Sequence, residues 1–394
     1  MKPLAVTAFT STTAAGAGNA ALQAALEAGV SGLRYNDFTS TPLDGHIGRV
    51  TELDSVAWPE AFAEYDCRNN RLAWLGLQQD GFLEAVNAAS ARYGAARVAL
   101  VVGTSTASIG ATEEAYSRLE PEGLFPSDLR RPAVHTPHSL GHFLAVALDL
   151  GGPCVTVATA CSSSAKVFAQ AERLIRLGIV DAAVVAGVDT LCGSVLFGFN
   201  SLELVSPDPC RPFDTERSGI SLGEAAGYAL LEREAPAYAW FVGHGESSDA
   251  HHMSSPHPEG LGARIALEAA LERAGLPPAA VDYINLHGTA SVKNDEVEAA
   301  VISSMFPAHV GVSSTKGWTG HTLGAAGIVE AVVCLLTLRH GFRPGNLLAR
   351  ELDPLCGPQW KLTGEAAPVR VALTESFGFG GNNCVLVFSA ERAQ

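Results

Sequence analysis

Cys161 stands between Ala160 and the three serines Ser162–Ser164, where a short apolar run (Val155, Thr156, Val157) gives way to a helical pattern. The β-branched run reads as a buried strand. Ala165, Phe168, Ala169 and Ile175 then recur at helical spacing until Arg176 and Gly178 supply a last-turn cation and a stop. A thiol is thereby placed at a strand-to-helix junction, where unpaired N–H groups and the positive end of the helix dipole favour thiolate. The same N–H groups could receive the oxyanion of a carbonyl that the sulfur attacks. A free cysteine is more often a small buried hydrophobe, so the histidines further along decide between the two readings.

The segment VDYINLHGTASVKND (281–295) carries a buried strand that ends at His287, followed by a tight loop bearing the hydroxyls of Thr289 and Ser291. In SSTKGWTGHTLGAAGIVE (313–330), His321 opens a helix whose Gly324, Ala325, Ala326 and Gly327 allow close packing. The dipole there disfavours imidazolium, so a neutral ring serves as a hydrogen-bond donor. Lys316 and Glu330 read either as a buried pair behind that histidine or as an ordinary surface lysine and a helix glutamate. TESFGFGGNN (374–383) sets Phe379 among Gly378, Gly380 and Gly381, a turn that presents a ring and backbone N–H groups. One cysteine with two histidines at element ends suits thioester chemistry: the sulfur accepts an acyl group, and neutral imidazoles donate to a carbonyl that becomes an enolate.

The elements that must hold these groups alternate. Strands are read at 4–9, 97–102, 182–188 and 226–231, with helices at 19–28 (closed by Gly29), 71–93 and 139–148. A small-residue loop, Gly103 to Thr106, follows the second strand. After Glu234-Ala235-Pro236 the alternation restarts, with strands at 239–242, 281–286, 310–313, 369–374 and 384–388 and helices at 261–274, 296–306 and 324–339. Buried strands alternating with helices twice over give a layered α/β fold.

With 394 residues, 47% hydrophobic and 17% charged, the chain has the profile of a globular protein with a large core. A net charge of −15 argues against a general nucleic-acid or anionic-membrane surface. Met1–Leu26 lacks the continuous apolar core of a signal peptide, and no run of about 18 apolar residues marks a membrane span. Eight cysteines without a CxxC pair favour neither zinc nor disulfides. A cytoplasmic protein is expected. His244, His251, His252 and His257 lie on a Ser/Pro/Gly loop that lacks the fixed geometry of a metal site, so no metal is expected.

The chain resembles the elongating β-ketoacyl-acyl carrier protein synthases (ketosynthases) of the thiolase-like superfamily over essentially its whole length. TACSSSA, HGTAS…ND, KGWTGHTLGAAG and FGFGGNN look like that family's nucleophile, first-histidine, lysine-plus-second-histidine and gating motifs. RPFDTERSGISLGEAAG (211–227) matches a further signature. The resemblance implies a five-layered α/β/α/β/α fold of two pseudo-related halves, 1–235 and 236–394. It implies a decarboxylative Claisen condensation of malonyl-carrier protein with an acyl group on Cys161, elongating a fatty acid, aryl polyene or polyketide. Cys161 and the N–H of Phe379 would form the oxyanion hole, and Phe379 would gate the acyl pocket. His287 and His321 would hold the malonyl thioester, Lys316 with Glu330 would order the second-histidine loop, and Thr289 and Ser291 would bond pantetheine. Thr106 and Phe199 would line the acyl pocket. Arg68 with Arg71, and Arg130 with Arg131, are either a solvated face or a docking surface for an acidic carrier protein.

No cofactor is implied beyond the phosphopantetheine of the acyl carrier protein, and the partner subunit would be a second copy or a chain-length factor. Departures are Ala290 for Gly or Ser, Ser291 for Thr, Ser218 for Asp, and Thr106 where a bulky aliphatic residue is usual. The last suggests a longer, polyunsaturated or aryl-primed acyl chain. Lys166, in place of a frequent His, points toward aryl-polyene synthases. Two other classes stay open: a non-catalytic chain-length-factor subunit, which would lack the cysteine, and a thiolase or initiating synthase that takes acyl-CoA.

Overall fold

The computed structural model describes residues 1–392. The first half places β1 (Leu4–Thr13), α1 (Asn19–Ala28), α2 (Arg68–Leu77), α3 (Phe82–Tyr93), β2 (Val98–Gly103), α4 (Ile109–Ser117) and α5 (Ser139–Ala147). Then come β3 (Cys154–Val157), α6 (Ser163–Arg176), β4 (Ala182–Asp189), α7 (Gly193–Ser201) and β5 (Ala225–Glu232). The second half runs β6 (Ala239–Ser248), α8 (Leu261–Ala274), β7 (Tyr283–Asn285), α9 (Val292–Met305), β8 (Gly311–Ser313) and α10 (Lys316–Thr319). It closes with α11 (Ala326–His340), β9 (Val371–Gly378) and β10 (Asn382–Ser389).

These strands lie in one sheet in the order β8-β7-β9-β10-β6-β1-β5-β4-β2-β3. Counted outward from the central seam, each half reads first, fifth, fourth, second, third strand of its own sequence order. The two halves also share the same pairing sense, antiparallel, antiparallel, parallel, parallel. They join at the β1–β6 seam through Leu4↔Phe241, Ala5↔Trp240 and Val6↔Ala239. The turn between β5 and β6 carries Glu234-Ala235-Pro236.

Three apolar clusters separate five layers. One lies between α2, α3 and α5 and the outer face of β2, β4 and β5, and a second between α8, α9 and the outer face of β7, β9 and β10. The third surrounds α6 and α11, which cross each other between the sheet halves. A helix in that middle layer must be apolar on every side. The stretch Leu323–His340 is accordingly long and apolar enough to cross a membrane by composition, yet 83% of it is buried inside the protein. The crossing is tight because Gly327 faces Ala165: a Cβ on Gly327 would sit 2.6 Å from the Ala165 nitrogen.

Two readings of helical pattern change in three dimensions. The span 71–93 is two helices, because Asp80 and Gly81 take positive φ values of 54° and 68° and turn the chain. His321 does not open α11. It pairs with Leu222 in an isolated parallel bridge, five residues before that helix begins.

Candidate active site

The nucleophile's turn is built by its neighbours. Ala160 adopts a positive φ of 52°, a conformation that L-residues hold only when surrounding bonds over-determine it. The serines supply those bonds. Ser162 Oγ donates to the Thr159 carbonyl (2.9 Å), Ser163 Oγ donates to the Ala160 carbonyl (2.6 Å), and the Thr159 N–H donates to Ser163 Oγ (2.9 Å). Ser164 Oγ accepts the Ile328 N–H (2.9 Å), fastening the start of α6 to α11. Cys161 is thereby presented two residues ahead of α6, 4% exposed, at the base of a cavity of about 380 Å³.

Both histidines reach the same cavity. His321 is held by its backbone, its N–H on the Ser221 carbonyl (2.7 Å) and its own carbonyl accepting from Gly223 N–H (2.9 Å). Its Nε2 lies 3.1 Å from Cys161 Sγ. His287 crosses it edge-on, ring centroids 5.4 Å apart at 88°, and is backed by Phe377 at 5.8 Å. The His287 N–H donates to Glu298 Oε1 (2.6 Å), and its carbonyl accepts from the Lys316 ammonium. Lys316 also bonds Glu330, and both side chains are buried, so the two open readings of that pair resolve to the buried one.

Electrostatics alter one expectation. Burial pushes the Cys161 thiol up to about 11, against the opposing pull of the Lys316 charge and the Phe379 N–H. Desolvation therefore outweighs the helix end, and the resting group is a thiol. Burial and the Lys316 cation hold both imidazoles well below the usual histidine range, so they are neutral at physiological pH. The thiol, its nearest acceptor at His321 Nε2 and the donor at Phe379 N–H form one uncharged constellation.

Cys161, His287 and His321 offer ligand atoms within 4.8 Å of one another, the one such cluster of metal-capable side chains among the described residues. A resident metal fits it poorly. Ligating histidines normally donate their second N–H to a fixed partner, and here both Nδ1 atoms lack one. His244, His251, His252 and His257 form no such cluster. All eight cysteines are unpaired.

Phe379 opens a short turn, Phe379–Gly381, and its ring stacks on Phe199 with centroids 5.5 Å apart and 25° between planes. Both line the cavity, with Thr289 and Ser291, whose hydroxyls bond each other at 2.9 Å. Ala290 between them has φ 66°, a setting that explains why glycine suits that position. Ser218 is braced by Ser206 Oγ at 2.7 Å. Lys166 approaches Glu246 at 3.8 Å.

Two readings are narrowed by geometry. Thr106 does not line the Cys161 cavity: its hydroxyl and N–H are taken by Asp189 (2.6 and 2.9 Å), and it borders a separate space beside Ala158 and Pro137. The paired arginines are mostly spent inside the chain. Arg68 grips buried Glu224 through two bonds (3.0 and 2.6 Å), Arg71 holds Asp66 (2.5 Å), and Arg130 holds Glu120 (2.6 Å). Arg131 donates to the carbonyls of Asp128 and Asp66. Arg68 is thus a structural cation rather than a docking one, because an unpaired Glu224 at that depth would be costly.

Reading by motif quoted Asp295, Glu375 and Phe377 without giving them a role, and passed over Glu298. Glu298 lies eleven residues after His287, and Asp295 eight. Helical spacing brings both under the histidine loop, a signal present in the sequence but not specific.

Two family models divide the chain: "Beta-ketoacyl synthase, N-terminal domain" matches residues 1–237 and "Beta-ketoacyl synthase, C-terminal domain" matches residues 238–349. The chain is 37% identical over 261 residues to the mitochondrial 3-oxoacyl-[acyl-carrier-protein] synthase of Arabidopsis thaliana. That match covers 61% of this chain and 57% of the plant protein. It is 31% identical over 362 residues to 3-oxoacyl-[acyl-carrier-protein] synthase 2 of Coxiella burnetii, covering 86% and 84%. Among solved structures it superposes on the ketosynthase ApeO, in complex with its chain length factor ApeC, from Xenorhabdus doucetiae. The TM-score is 0.91 at 37% identity, with 98% of both chains covered.

Proposed function

The chain belongs to the β-ketoacyl synthase family, and from that membership we propose that it is an elongating 3-oxoacyl-acyl carrier protein synthase that carries the growing acyl group on Cys161. The observation behind this reading is the 3.1 Å approach of His321 Nε2 to Cys161 Sγ, with the His287 ring beside it and Phe379 lining the same cavity.

In the first half-reaction the Cys161 sulfur attacks the thioester carbonyl of an acyl-carrier phosphopantetheine, and the thiol proton leaves toward His321 Nε2. The carbonyl oxygen gathers charge where the N–H groups of Cys161 and Phe379 meet it. The carrier's C–S bond breaks, and its sulfur departs as the thiol with the returned proton. In the second, a malonyl thioester lies against both rings: neutral His287 donates to its carbonyl, and His321 does so once its single ring proton sits on Nε2 in place of Nδ1. The bond to the carboxylate breaks, carbon dioxide leaves, and the electron pair passes into the enolate. The enolate carbon attacks the acyl-Cys161 carbonyl, the C–S bond to Cys161 breaks, and the sulfur leaves as thiolate and takes a proton from water to return to the resting thiol. Neutral rings suit this step, since an imidazolium would hold the malonyl carboxylate as an ion pair and oppose its loss. Lys316, joined to Glu330 and to the His287 carbonyl, is a positioning group. Thr289 and Ser291 face the channel where pantetheine amides would lie.

Carrier protein is the acyl donor on this reading, supported by the names of the relatives in Arabidopsis and Coxiella. A partner subunit is supported by the ApeO–ApeC complex and by the sheet edge. β3 pairs on one side only, and its Cys154 is exposed. An apolar edge left open invites another chain. We place a second copy or a chain-length factor there, and the aryl-polyene pathway is the reading that Lys166 suggests. The protein itself is not the chain-length factor, because it retains the cysteine. The cytoplasm is its place of work.

Mass analysis after exposure to acyl-carrier protein should show one acyl group on Cys161, absent in Cys161→Ala, and no acylation from acyl-CoA at equal concentration. Acylation of the Ala variant, or preference for the CoA ester, would end this reading.

A further inference from the structure

Four carboxyl side chains are buried beneath the His287 loop: Asp295 and Glu298 on α9, Glu330 on α11 and Glu375 on β9. Two cations serve them. Lys316 is committed to Glu330 and the His287 carbonyl, and Arg217 reaches Asp295 at 3.8 Å.

Two of these carboxyls are saturated with N–H donors. Asp295 accepts from Phe213 N–H (2.8 Å), Thr289 N–H (3.1 Å) and Asn294 Nδ2 (3.2 Å). Glu298 accepts from His287 N–H (2.6 Å), Gly288 N–H (2.8 Å) and Asn294 Nδ2 (3.1 Å). Glu375 is different. It is fully buried, neither of its oxygens meets a donor, and the neighbour whose charge bears most on it is the Glu298 carboxyl. Two anions in contact at that depth, one of them without a donor, would be strongly unfavourable. A proton on Glu375 converts the repulsion into an O–H···O⁻ bond, among the stronger hydrogen bonds available. The donor count assigns that proton: Glu298 already has three N–H groups aimed at it, so Glu375 is the side that must supply a hydrogen.

We propose that Glu375 is kept as a neutral carboxylic acid whose O–H, donated to Glu298, is the positioning contact that locks His287 beneath the reacting thioester. The chain of contacts is short: Glu375 to Glu298, Glu298 to the N–H groups of His287 and Gly288, and His287 to the cavity. Charged and titratable groups facing the pair are Asp295 from the same helix as Glu298, Lys316 from α10, Glu330 from α11 and His287 from the strand end. Burial and the neighbouring carboxylates drive the Glu375 carboxyl far above the usual range, while Glu298 is pushed up to about 7. Loss of the shared proton at high pH makes the two groups repel, and the histidine loop loosens.

The inference rests on the ketosynthase reading for its kinetic arm and is independent of it for its spectroscopic arm. Infrared spectra of the full-length protein at about pH 8.5, where ordinary carboxyls are ionised, should show a deuterium-sensitive C=O stretch of one protonated carboxylic acid. That band should vanish in Glu375→Gln. In malonyl-carrier decarboxylation, Glu375→Ala should lower kcat about tenfold, the worth of one charge-assisted hydrogen bond, with KM little changed. Glu375→Gln, whose amide N–H can still donate but cannot ionise, should recover most of that loss and extend activity on the alkaline side. A wild-type spectrum without the band, a band that survives in Glu375→Gln, or a Gln variant with an unchanged alkaline limb would overturn the proposal. A wild-type protein that shows the band but decarboxylates nothing would instead refute the enzymatic reading.

Discussion

Replacing Lys316 with Met removes the ammonium paired with Glu330 and leaves that carboxyl buried at 3% exposure. The pair is fully enclosed, so solvent screening gives no discount, and stranding one partner of such a pair costs about 3–5 kcal/mol. Glu330 is already pushed up to about 7 with the lysine present. Without that attraction its folded-state pKa rises further, and the group takes up a proton. A folded pKa above the unfolded one means stability is lost as pH rises from the unfolded value through the folded one, by about 1.4 kcal/mol per unit. Below about pH 7 Glu330 is protonated in both proteins, so the penalty of K316M should deepen on going from neutral to alkaline pH, up to the higher folded value Glu330 takes without the lysine. Guanidinium unfolding followed by tryptophan emission measures it, Trp318 lying two residues from the substitution and 2% exposed. The double variant K316M/E330M exchanges the ion pair for apolar side chains and should regain at least about 2 kcal/mol. Neither variant should decarboxylate malonyl-carrier protein well, since both free the His287 carbonyl. A loss below about 1 kcal/mol in K316M, or a double variant no more stable than the single, would refute the reasoning.

Phe379→Ala breaks the stack on Phe199, worth about 0.5–1.5 kcal/mol beyond its buried area. It should slow acyl transfer and condensation while moving the unfolding midpoint little. A normal condensation rate would remove the gating role. Alkylation of Cys161 by iodoacetamide should be slow at neutral pH and rise about tenfold per unit through pH 9 and 10, because a raised thiol pKa leaves little thiolate below it. A plateau near pH 7 would contradict the burial argument. Malonyl decarboxylation should show no loss as pH falls through 6.5, since imidazoles with depressed pKa values stay neutral there. An acid limb centred at that pH would show that the rings titrate normally.

Legibility in the sequence followed the range of the interactions. The span of α1 and its Gly29 stop, and the limits of α8, were readable because periodicity and left-handed caps are local. So were Cys161 and His287, each beside the end of an element whose pattern marks where it stops, whereas His321 was legible from its motif and not from the helix it was expected to open. The break between α2 and α3 was not, since a positive φ at Asp80 leaves no trace in an apolar pattern. Nor was the role of Arg68, whose partner Glu224 lies 156 residues away and meets it only when β5 returns beside β4.

What the sequence determined alone was a set of reactive side chains and the alternation of elements that carries them. Tertiary structure decided that those side chains share one cavity, that the thiol rests protonated, and that Thr106 turns away toward Asp189. It also set Glu375 against Glu298. The reason is the same in each case: charge state and contact depend on burial and on which distant strands become neighbours, and neither quantity is written in local spacing.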